Sequence, residues 1–176
     1  MRIPDGDTLP RFVCGQCATI HYQNPKIVVG CLPEWGEQVL LCKRAIEPRH
    51  GLWTLPAGFL ENGETLIAGA ARETLEEANA RVDVGDLYTI ISLPHINQVY
   101  MMFRARLADL DFGPGTESLE VALFEESVIP WETLAFRTIT RTLRNFFLDR
   151  KLGHCATHVS ALTRRAPVPP DLRGAA

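Results

Sequence analysis

Two short hydrophobic runs begin the regular part of the chain. Residues 26–32 (KIVVGCL) and 38–44 (QVLLCKR) are rich in aliphatic and β-branched side chains, and the polar PEWGE between them is typical of a turn. We therefore predict two strands that pair antiparallel as a hairpin. The segment RHGLWTLPAGF follows, and Gly51, Pro56 and Gly58 favour short extended pieces there over a helix.

A helical pattern runs from Thr65 to about Ala78. Small or apolar residues recur at the spacing of an α-helix, and charged residues lie largely on the other side. The first set is Ile67, Ala70, Ala71, Thr74 and Ala78, and the second is Arg72, Glu73, Glu76 and Glu77. We predict one amphipathic helix.

The second half of the chain predicts three more strands and a final helix. Strands are expected at residues 87–93, 98–107 and 119–125, with a turn at 94–97 between the first two. From about residue 133 to 150, apolar and basic residues alternate at helical period. This pattern favours a helix that packs one face on the sheet.

The chain divides into one main domain with a segment at each end. Residues 1–25 are rich in turn formers and predict a small appendage, and residues 26–153 form the main domain. Residues 154–176 are proline-rich towards their end and predict an irregular tail.

Composition and charge exclude several classes of protein. The 176 residues are 46% hydrophobic and 22% charged, as in one ordinary globular domain. The net charge is -3 and the 18 basic residues form no stripe, so we expect no nucleic acid and no membrane as partner. A phosphate-bearing small molecule is compatible with this charge. The absence of a long apolar run or secretory signal, and an odd count of five cysteines, predict a cytoplasmic protein.

The predicted helix concentrates carboxylates on one side. Glu73 and Glu77 lie four residues apart and share a helical face, and Glu76 lies beside them. Two unit charges about 4 Å apart repel by roughly 1 kcal/mol in water and about 4 kcal/mol at an effective dielectric near 20. Two explanations follow: either the carboxylates are fully solvated, or a divalent cation turns their repulsion into coordination.

The spacing upstream of the helix favours the cation. The segment matches the pattern G-x5-E-x7-R-E-U-x-E-E-x-G-U at its first glycine and at every charged position. A glycine is followed after five residues by a glutamate, and after seven more by Arg-Glu and then Glu-Glu. The matching residues are Gly58, Glu64, Arg72, Glu73, Glu76 and Glu77. That pattern is the Nudix box, and the chain resembles the Nudix hydrolases, which cleave nucleoside diphosphates linked to another moiety.

Three positions depart from the box. Thr74 and Ala80 stand where aliphatic residues are usual, and Asn79 replaces the second glycine. That glycine lies at the helix end, where a left-handed residue is wanted, and Asn adopts this conformation most readily after Gly. We expect no catalytic loss from the three changes.

The resemblance implies a fold and a metal site. The fold is α+β, with a mixed β-sheet in an α/β/α sandwich. Glu73 and Glu77 are implied as ligands of Mg²⁺ or Mn²⁺, with Glu76 shared between ions, and the backbone carbonyl of Ala57 or Gly58 contributes. Mg²⁺ is a hard ion that prefers such oxygen ligands and keeps several waters, which leaves room for substrate phosphate.

The same resemblance implies catalytic roles. Arg72 is expected to pair with Glu64 or Glu73 and to hold that carboxylate in position. In several pyrophosphatase branches of the family, a later glutamate outside the box joins the site or activates the water. Glu120 is the favoured candidate, and Glu117, or a surface role for both, is the alternative.

The flanking segments narrow the substrate. YQNPKIVVGCL, VLLCKR, HGLWTLPAGFLENGE and FGPGTESLE resemble the bacterial and plant-chloroplast Nudix proteins assigned as FAD and ADP-ribose pyrophosphatases. This implies hydrolysis of FAD to FMN and AMP, or of ADP-ribose to AMP and ribose 5-phosphate. An NADH pyrophosphatase and a silent nucleotide-binding regulatory module are the alternatives. Related pyrophosphatases commonly pair, so a homodimer is expected.

Several side chains are candidates for contact with that nucleotide. Aromatic rings can stack on a base, although core packing is the competing role for each, and arginines can meet phosphate. The candidates are Arg44, Trp53, Phe59 and Gln98, with Arg49, His95, Tyr100 and Phe103 as further ones.

The cysteines indicate half of a zinc site. Cys14 and Cys17 have the spacing of one zinc knuckle, whereas a structural tetrahedral site needs four ligands. The tail segment HCATH, with its two histidines and Cys155, or a second subunit could supply the others, and a zinc-ribbon interaction module is then a further function class. Cys31 and Cys42 fall in strand patterns and are expected to be buried small hydrophobes.

Overall fold

A mixed β-sheet covered by a helix on each face forms the main domain. The computed structural model describes residues 1–163. Its strands are β1 (Phe12–Val13), β2 (Ile20–His21), β3 (Lys26–Trp35), β4 (Gln38–Arg44), β5 (Trp53–Thr54), β6 (Ala57–Phe59), β7 (Val82–Leu93), β8 (Gln98–Leu107), β9 (Ser118–Phe124) and β10 (His158–Ala161). Its α-helices are α1 (Leu66–Ala78) and α2 (Arg137–Leu152), and short 3-10 turns lie at Pro94–Ile96, Glu126–Val128 and Trp131–Thr133.

Strand order places β3 and β4 at the centre of the sheet. β1 and β2 pair only with each other, and the remaining strands run β10-β7-β8-β3-β4-β5, with β6 joined to β3 and β9 to β4. The pairs β3–β8 and β7–β10 are parallel, and the other pairs are antiparallel. The predicted mixed sheet and antiparallel β3–β4 hairpin are therefore confirmed.

Alternation along β3 and β4 divides the core into two layers. Cys31 lies in a cluster with Ala70 of α1, whereas its neighbour Leu32 packs with Ile139 and Leu143 of α2. Successive side chains of a strand point to opposite faces, so one sheet serves both helices. The predicted α/β/α sandwich is confirmed. Among residues 1–163, no helix combines the length and apolarity required to cross a membrane.

Both ends of α1 are capped by residues suited to these positions. The Thr65 hydroxyl accepts a hydrogen bond of 3.1 Å from the Ala68 N–H, which satisfies one free donor of the first turn. At the other end Asn79 adopts a left-handed conformation with φ of 47°, and its N–H donates to the Leu75 carbonyl at 2.8 Å. The predicted helix and the predicted left-handed Asn79 are confirmed.

Three element boundaries differ from the prediction by three residues or more. β3 extends to Trp35, so the hairpin turn shortens to residues 36–37, because β3 stays paired with β8 as far as Glu34. There Glu34 accepts two hydrogen bonds of 2.7 Å from the Arg104 guanidinium. β7 begins at Val82, five residues early, and α2 begins at Arg137, because a 3-10 turn occupies residues 131–133.

The irregular tail predicted from residue 154 is wrong where β10 forms. β10 runs parallel to β7 and completes that edge of the sheet. The His158 ring nitrogen Nε2 lies 2.7 Å from Asp149 Oδ2 on α2, and the Tyr88 hydroxyl donates to the same oxygen at 2.9 Å. The segment forms a strand because the unpaired edge of β7 accepts it and because His158 is held by Asp149, not because of its local strand propensity. Residues 164–176 of the predicted tail lie outside the described residues.

The layer under α2 provides a test of the packing. Leu143 of α2 is fully buried, so Leu143→Ala should lower the free energy of unfolding by about 2 to 5 kcal/mol through lost burial and a cavity. Leu148 lies on the same helix and is 55% exposed, so Leu148→Ala should cost less than about 1 kcal/mol. Urea unfolding measures both. Equal losses would contradict the assignment of the buried face, because the helix-propensity change is the same in each variant.

Candidate active site

Two carboxylates of α1 are buried against the short strand β6. Glu73 and Glu77 retain only 9% and 7% of their accessible surface. The Ala57 N–H donates to Glu77 Oε2 at 3.1 Å, and a Cβ added to Gly58 would lie 2.3 Å from the Glu73 carboxylate. A larger residue at position 58 would therefore force the Glu73 carboxylate to move from its place beside the backbone.

The Arg72 guanidinium connects the other acids of the motif. It donates to Glu64 through Nε and Nη2, at 3.1 and 2.8 Å, and to Glu73 and Glu76 through Nη1, at 2.7 and 2.9 Å. Nη2 also donates to the Phe59 carbonyl at 3.1 Å. The sequence left Glu64 and Glu73 as alternative partners of Arg72, and in the structure Arg72 pairs with both.

Glu64 is the carboxylate that fixes Arg72. The guanidinium of Arg72, followed by the Glu61 N–H at 2.7 Å, lowers the pKa of Glu64 to about 2. Glu64 is therefore ionised at neutral pH, and its two oxygens hold the guanidinium in a fixed plane. This geometry assigns Glu64 the role of orienting Arg72 rather than of exchanging protons.

Glu73 and Glu77 have the opposite electrostatic balance. Burial raises the pKa of Glu73 despite the hydrogen bonds from Arg72. Burial also raises the pKa of Glu77, from 4.5 to about 8; the Ala57 N–H opposes this rise, and the charge of Glu73 adds to it. Both carboxyl groups thus resist ionisation in the free protein, and a cation beside them would favour their ionised forms.

The donor set fits a hard divalent cation. Buried carboxylate oxygens beside a backbone strand are ligands that Mg²⁺ and Mn²⁺ prefer. As the side chains stand, no three Asp, Glu, His or Cys residues within 1–163 converge closely enough to hold a metal ion. Arg72 draws Glu76 aside, and the Glu76 side chain is 58% exposed. Glu76 can therefore turn about its own side-chain bonds without disturbing the buried pair.

The structure separates the two later glutamates. Glu120 lies opposite Lys43 on β4 and forms an exposed ion pair with it at 3.4 Å, on the face of the sheet that carries Trp53. Glu117 lies in the loop before β9, and in this loop the Gly115 N–H donates to the Glu77 backbone carbonyl at 3.1 Å. After burial, the main cause, the charge of Glu117 adds a small part to the raised pKa of Glu73 and Glu77. By position, Glu117 rather than Glu120 lies on the side of Glu73 and Glu77.

A β-bulge separates the positions of the two glutamates. Glu120 belongs to the regular register of β9 on β4, which then shifts between Lys43 and Arg44, so that Arg44 lies opposite Ser118 and Leu119 is left over. Glu117 precedes the first residue of β9, so alternation along the strand does not determine its position.

The candidate substrate contacts fall in different environments. Phe59 is 48% exposed beside Arg72, and the Lys26 ammonium lies 4.9 Å from its ring centroid. Gln98 begins β8 directly beside Lys26 and is half-buried. Arg44 donates to the Pro48 carbonyl at 2.9 Å and its charge lowers the pKa of Glu77. The sequence did not indicate Lys26 as a candidate contact, because in the sequence it is simply the first residue of a strand.

Trp53 is not available for stacking. It retains 8% of its surface, lies in the core under α2, and meets the Phe124 ring edge-on with centroids 4.9 Å apart. The prediction that it contacts a nucleobase is therefore wrong, and the competing role in core packing is correct. Phe103 is likewise buried in the layer under α1, whereas Tyr100 is half-buried and His95 is exposed.

The N-terminal hairpin presents two thiols. Cys14 and Cys17 lie in the turn between β1 and β2, and the Thr19 hydroxyl and backbone, followed by Cys14, lower the pKa of Cys17 to about 7. They would provide two of the four ligands of a structural zinc site. In the tail, His158 is bound to Asp149 and the Cys155 sulfur lies 3.6 Å from Arg104 Nη1.

The contacts of the tail residues test whether they could act as the predicted zinc ligands. Cys155 and His158 are engaged with side chains of the main domain, and no third metal-binding side chain within 1–163 joins Cys14 and Cys17. Within residues 1–163, the tail of the same chain therefore does not complete the zinc site of Cys14 and Cys17, and that suggestion is wrong. Cys31 and Cys42 are buried as predicted.

Comparison with known proteins gives consistent matches over most of the chain. The family model described as "NUDIX domain" matches residues 24–145, and the one described as "Nudix N-terminal", a zinc-ribbon model, matches residues 1–23. A solved structure described as a NUDIX hydrolase from Nitrosomonas europaea is 62% identical, covers 93% of each chain and superposes with a TM-score of 0.90.

The curated relatives described next are named as hydrolases of two different nucleotide derivatives. A protein named NAD-capped RNA hydrolase NudC, from Vibrio parahaemolyticus, is 41% identical over 148 residues, which are 77% of this chain and 54% of that protein. A protein named ADP-ribose pyrophosphatase, from Methanocaldococcus jannaschii, is 36% identical over 73 residues, 42% of this chain and 43% of that protein. The chain spans about half the length of the curated relatives it matches.

The raised pKa of Glu77 predicts how stability depends on pH without divalent metal. The folded carboxyl titrates near 8 and the unfolded one near 4.5, so the protonated form favours the folded state. This stabilisation is complete below pH 4.5 and is lost as pH rises through 8. Glu77→Gln is neutral at every pH and should therefore be more stable than wild type at pH 8.5, by on the order of 3 kcal/mol.

Urea unfolding in a chelating buffer at pH 5 and at pH 8.5 measures this difference. Glu120→Gln is the matched control, because its exposed carboxylate pairs with Lys43 and should leave the pH profile of wild type unchanged. Parallel pH profiles for wild type and Glu77→Gln would contradict the electrostatic account of the site.

Proposed function

Since the chain belongs to the Nudix hydrolase family, we propose that it hydrolyses the pyrophosphate bond of a nucleoside diphosphate linked to another moiety, with Mg²⁺ or Mn²⁺ as cofactor. The observation that carries the proposal is the burial of Glu73 and Glu77 on one face of α1 beside β6. Such a pair is unfavourable for the free protein and is suited to a cation that also binds phosphate.

Each acidic residue has a separate role in this proposal. Glu73 and Glu77 would hold the cation beside the Ala57 backbone, and the exposed Glu76 would join them on turning away from Arg72. Arg72 holds Glu73 in position during that change, because it is itself fixed by Glu64. A divalent ion, when bound, neutralises the diphosphate and makes a nucleophilic water available at neutral pH.

Glu117 is the residue we propose as general base. Its position beside Glu73 and Glu77 supports this role, whereas Glu120 is engaged with Lys43 on the other face of the sheet. The base accepts one proton from the attacking water as the new P–O bond forms. The bridging P–O bond then breaks, so that two monophosphates leave.

An adenosine diphosphate derivative is the proposed substrate class. Sequence segments on both sides of the box resemble FAD and ADP-ribose pyrophosphatases, and one curated relative is named ADP-ribose pyrophosphatase. We propose ADP-ribose or FAD first. An NAD-type dinucleotide is second, because relatives named NAD-capped RNA hydrolase match 77% of the chain. Phe59 and Lys26 are the proposed contacts for a base, and Arg44 for phosphate.

Loss of the ligand carboxylates tests the reaction. Glu76→Gln and Glu77→Gln should each lower kcat/KM by at least about a thousandfold, because neutral amides cannot hold the cation at the diphosphate. Glu126→Gln alters an exposed glutamate that pairs with Lys151 and should keep full activity. The assay follows AMP release from ADP-ribose, FAD, NADH and a diadenosine polyphosphate, with Mg²⁺ or Mn²⁺.

Two outcomes of that assay would reject the proposal. Full activity in the Glu77→Gln variant removes the metal carboxylates from the chemistry. Tight nucleotide binding with no AMP release in wild type, under every condition of the panel, identifies the chain as a regulatory module instead. Light scattering on the same sample tests the homodimer expected from the family resemblance.

The choice of base has its own test. Glu117→Gln should lower kcat by about a hundredfold, the usual size for loss of a general base. Glu120→Gln should stay within about twofold of wild type, because an exposed ion pair contributes little. Measured kcat values with saturating metal compare the two variants directly. A larger loss in Glu120→Gln than in Glu117→Gln would restore the original assignment.

A further inference from the structure

A glycine-rich loop lies across the C-terminal end of α1. The Gly113 N–H donates to the Ala78 carbonyl at 2.9 Å, and the Gly115 N–H donates to the Glu77 carbonyl at 3.1 Å. The last carbonyls of a helix have no partner within the helix, so this loop satisfies two of them. Residues 113–115 are thus part of the cap of α1.

Gly115 lets the loop approach the helix backbone directly. A Cβ added at this position would overlap the Glu76 carbonyl oxygen, at only 1.8 Å. No larger residue fits here without moving the loop or the helix. The approach places the loop at the turn of α1 that carries Glu76 and Glu77.

Asn79 forms contacts that a helix cap alone does not require. Its left-handed backbone would suit glycine equally well, and glycine is the residue that the motif usually carries at this position. The Asn79 side chain adds a hydrogen bond of 3.0 Å from Nδ2 to the Pro114 carbonyl and a longer one of 3.4 Å to the Gly113 carbonyl. A glycine would keep the cap and lose both bonds.

The anchored loop leads directly to Glu117. The Ser118 N–H donates to the Gly115 carbonyl at 3.2 Å, which closes a turn around Glu117. The Glu117 carbonyl accepts from the Ala45 N–H at 2.8 Å, so its backbone is also held by the residue after β4. The side chain of Glu117 is exposed and has no hydrogen-bond partner of its own among the described contacts, and its direction depends on the loop.

We propose that Asn79 is a positioning residue, whose side-chain amide holds the 113–117 loop against the end of α1 so that the Glu117 carboxylate faces Glu73 and Glu77. The inference rests on the proposed hydrolysis and on Glu117 as its base. In this chain the departure from the glycine of the motif therefore links the catalytic helix to the loop that completes the site.

The variant Asn79→Gly isolates the amide from the cap, because glycine adopts the left-handed conformation without strain. We expect kcat to fall about three- to tenfold, the size of one hydrogen bond, with KM unchanged because the cation ligands stay in place. Asn97→Gly is the matched control. Asn97 also has a left-handed backbone, with φ of 51°, and lies in the turn between β7 and β8.

A double-mutant cycle with Glu117→Gln separates positioning from general stability. If Asn79 acts through Glu117, Asn79→Gly should cause no further loss of kcat in the Glu117→Gln background. Additive losses, an unchanged kcat in Asn79→Gly, or an equal loss in Asn97→Gly would each overturn the inference. So would wild-type kcat in Glu117→Gln alone. Failure of the hydrolysis itself is recognised separately, by full activity in Glu77→Gln.

Discussion

The burial of Glu73 and Glu77 against the backbone of β6 is the constraint on which the rest of the site depends. Two carboxylates in so confined a place resist ionisation, and burial raises the pKa of both. The fold accepts this local cost because the rest of α1 packs small residues on the sheet, and Ala70 and Ala78 are fully buried there. In the proposed function, a bound cation would offset this local cost by stabilising the ionised pair.

Arg72 organises the surroundings of that pair. One guanidinium satisfies three carboxylates and a backbone carbonyl, and its own position is set by Glu64. The arrangement compensates charge without filling the space beside Glu77, which the Ala57 N–H contacts from the opposite side. Gly58 leaves room for the Glu73 carboxylate, which an added side chain would displace. Glu76 differs from the buried pair, because its side chain is exposed and, within the described residues, only Arg72 holds it.

Local patterns determined how much could be predicted from the sequence. The charged residues of the motif lie within a single loop and helix, so their spacing along the chain determines their relative positions in space. The pairing of Arg72 with Glu64 and Glu73 could therefore be predicted. The surroundings of Trp53 and Glu120 could not be predicted locally, because they depend on partners far away in the chain. Trp53 is covered by α2, and Glu120 lies opposite Lys43 of β4. β10 was missed for the same reason, since its partners are Asp149 and the free edge of β7.

The loop contact at Glu77 joins two functions in a single residue. The side chain of Glu77 belongs to the site, while its backbone carbonyl accepts from Gly115 in the loop that carries Glu117. The same loop is also tied to the sheet, because the Ala45 N–H after β4 donates to the Glu117 carbonyl. It therefore acts as a cross-brace, and sliding of the helix layer past the sheet would have to break a backbone hydrogen bond at one of its two attachments.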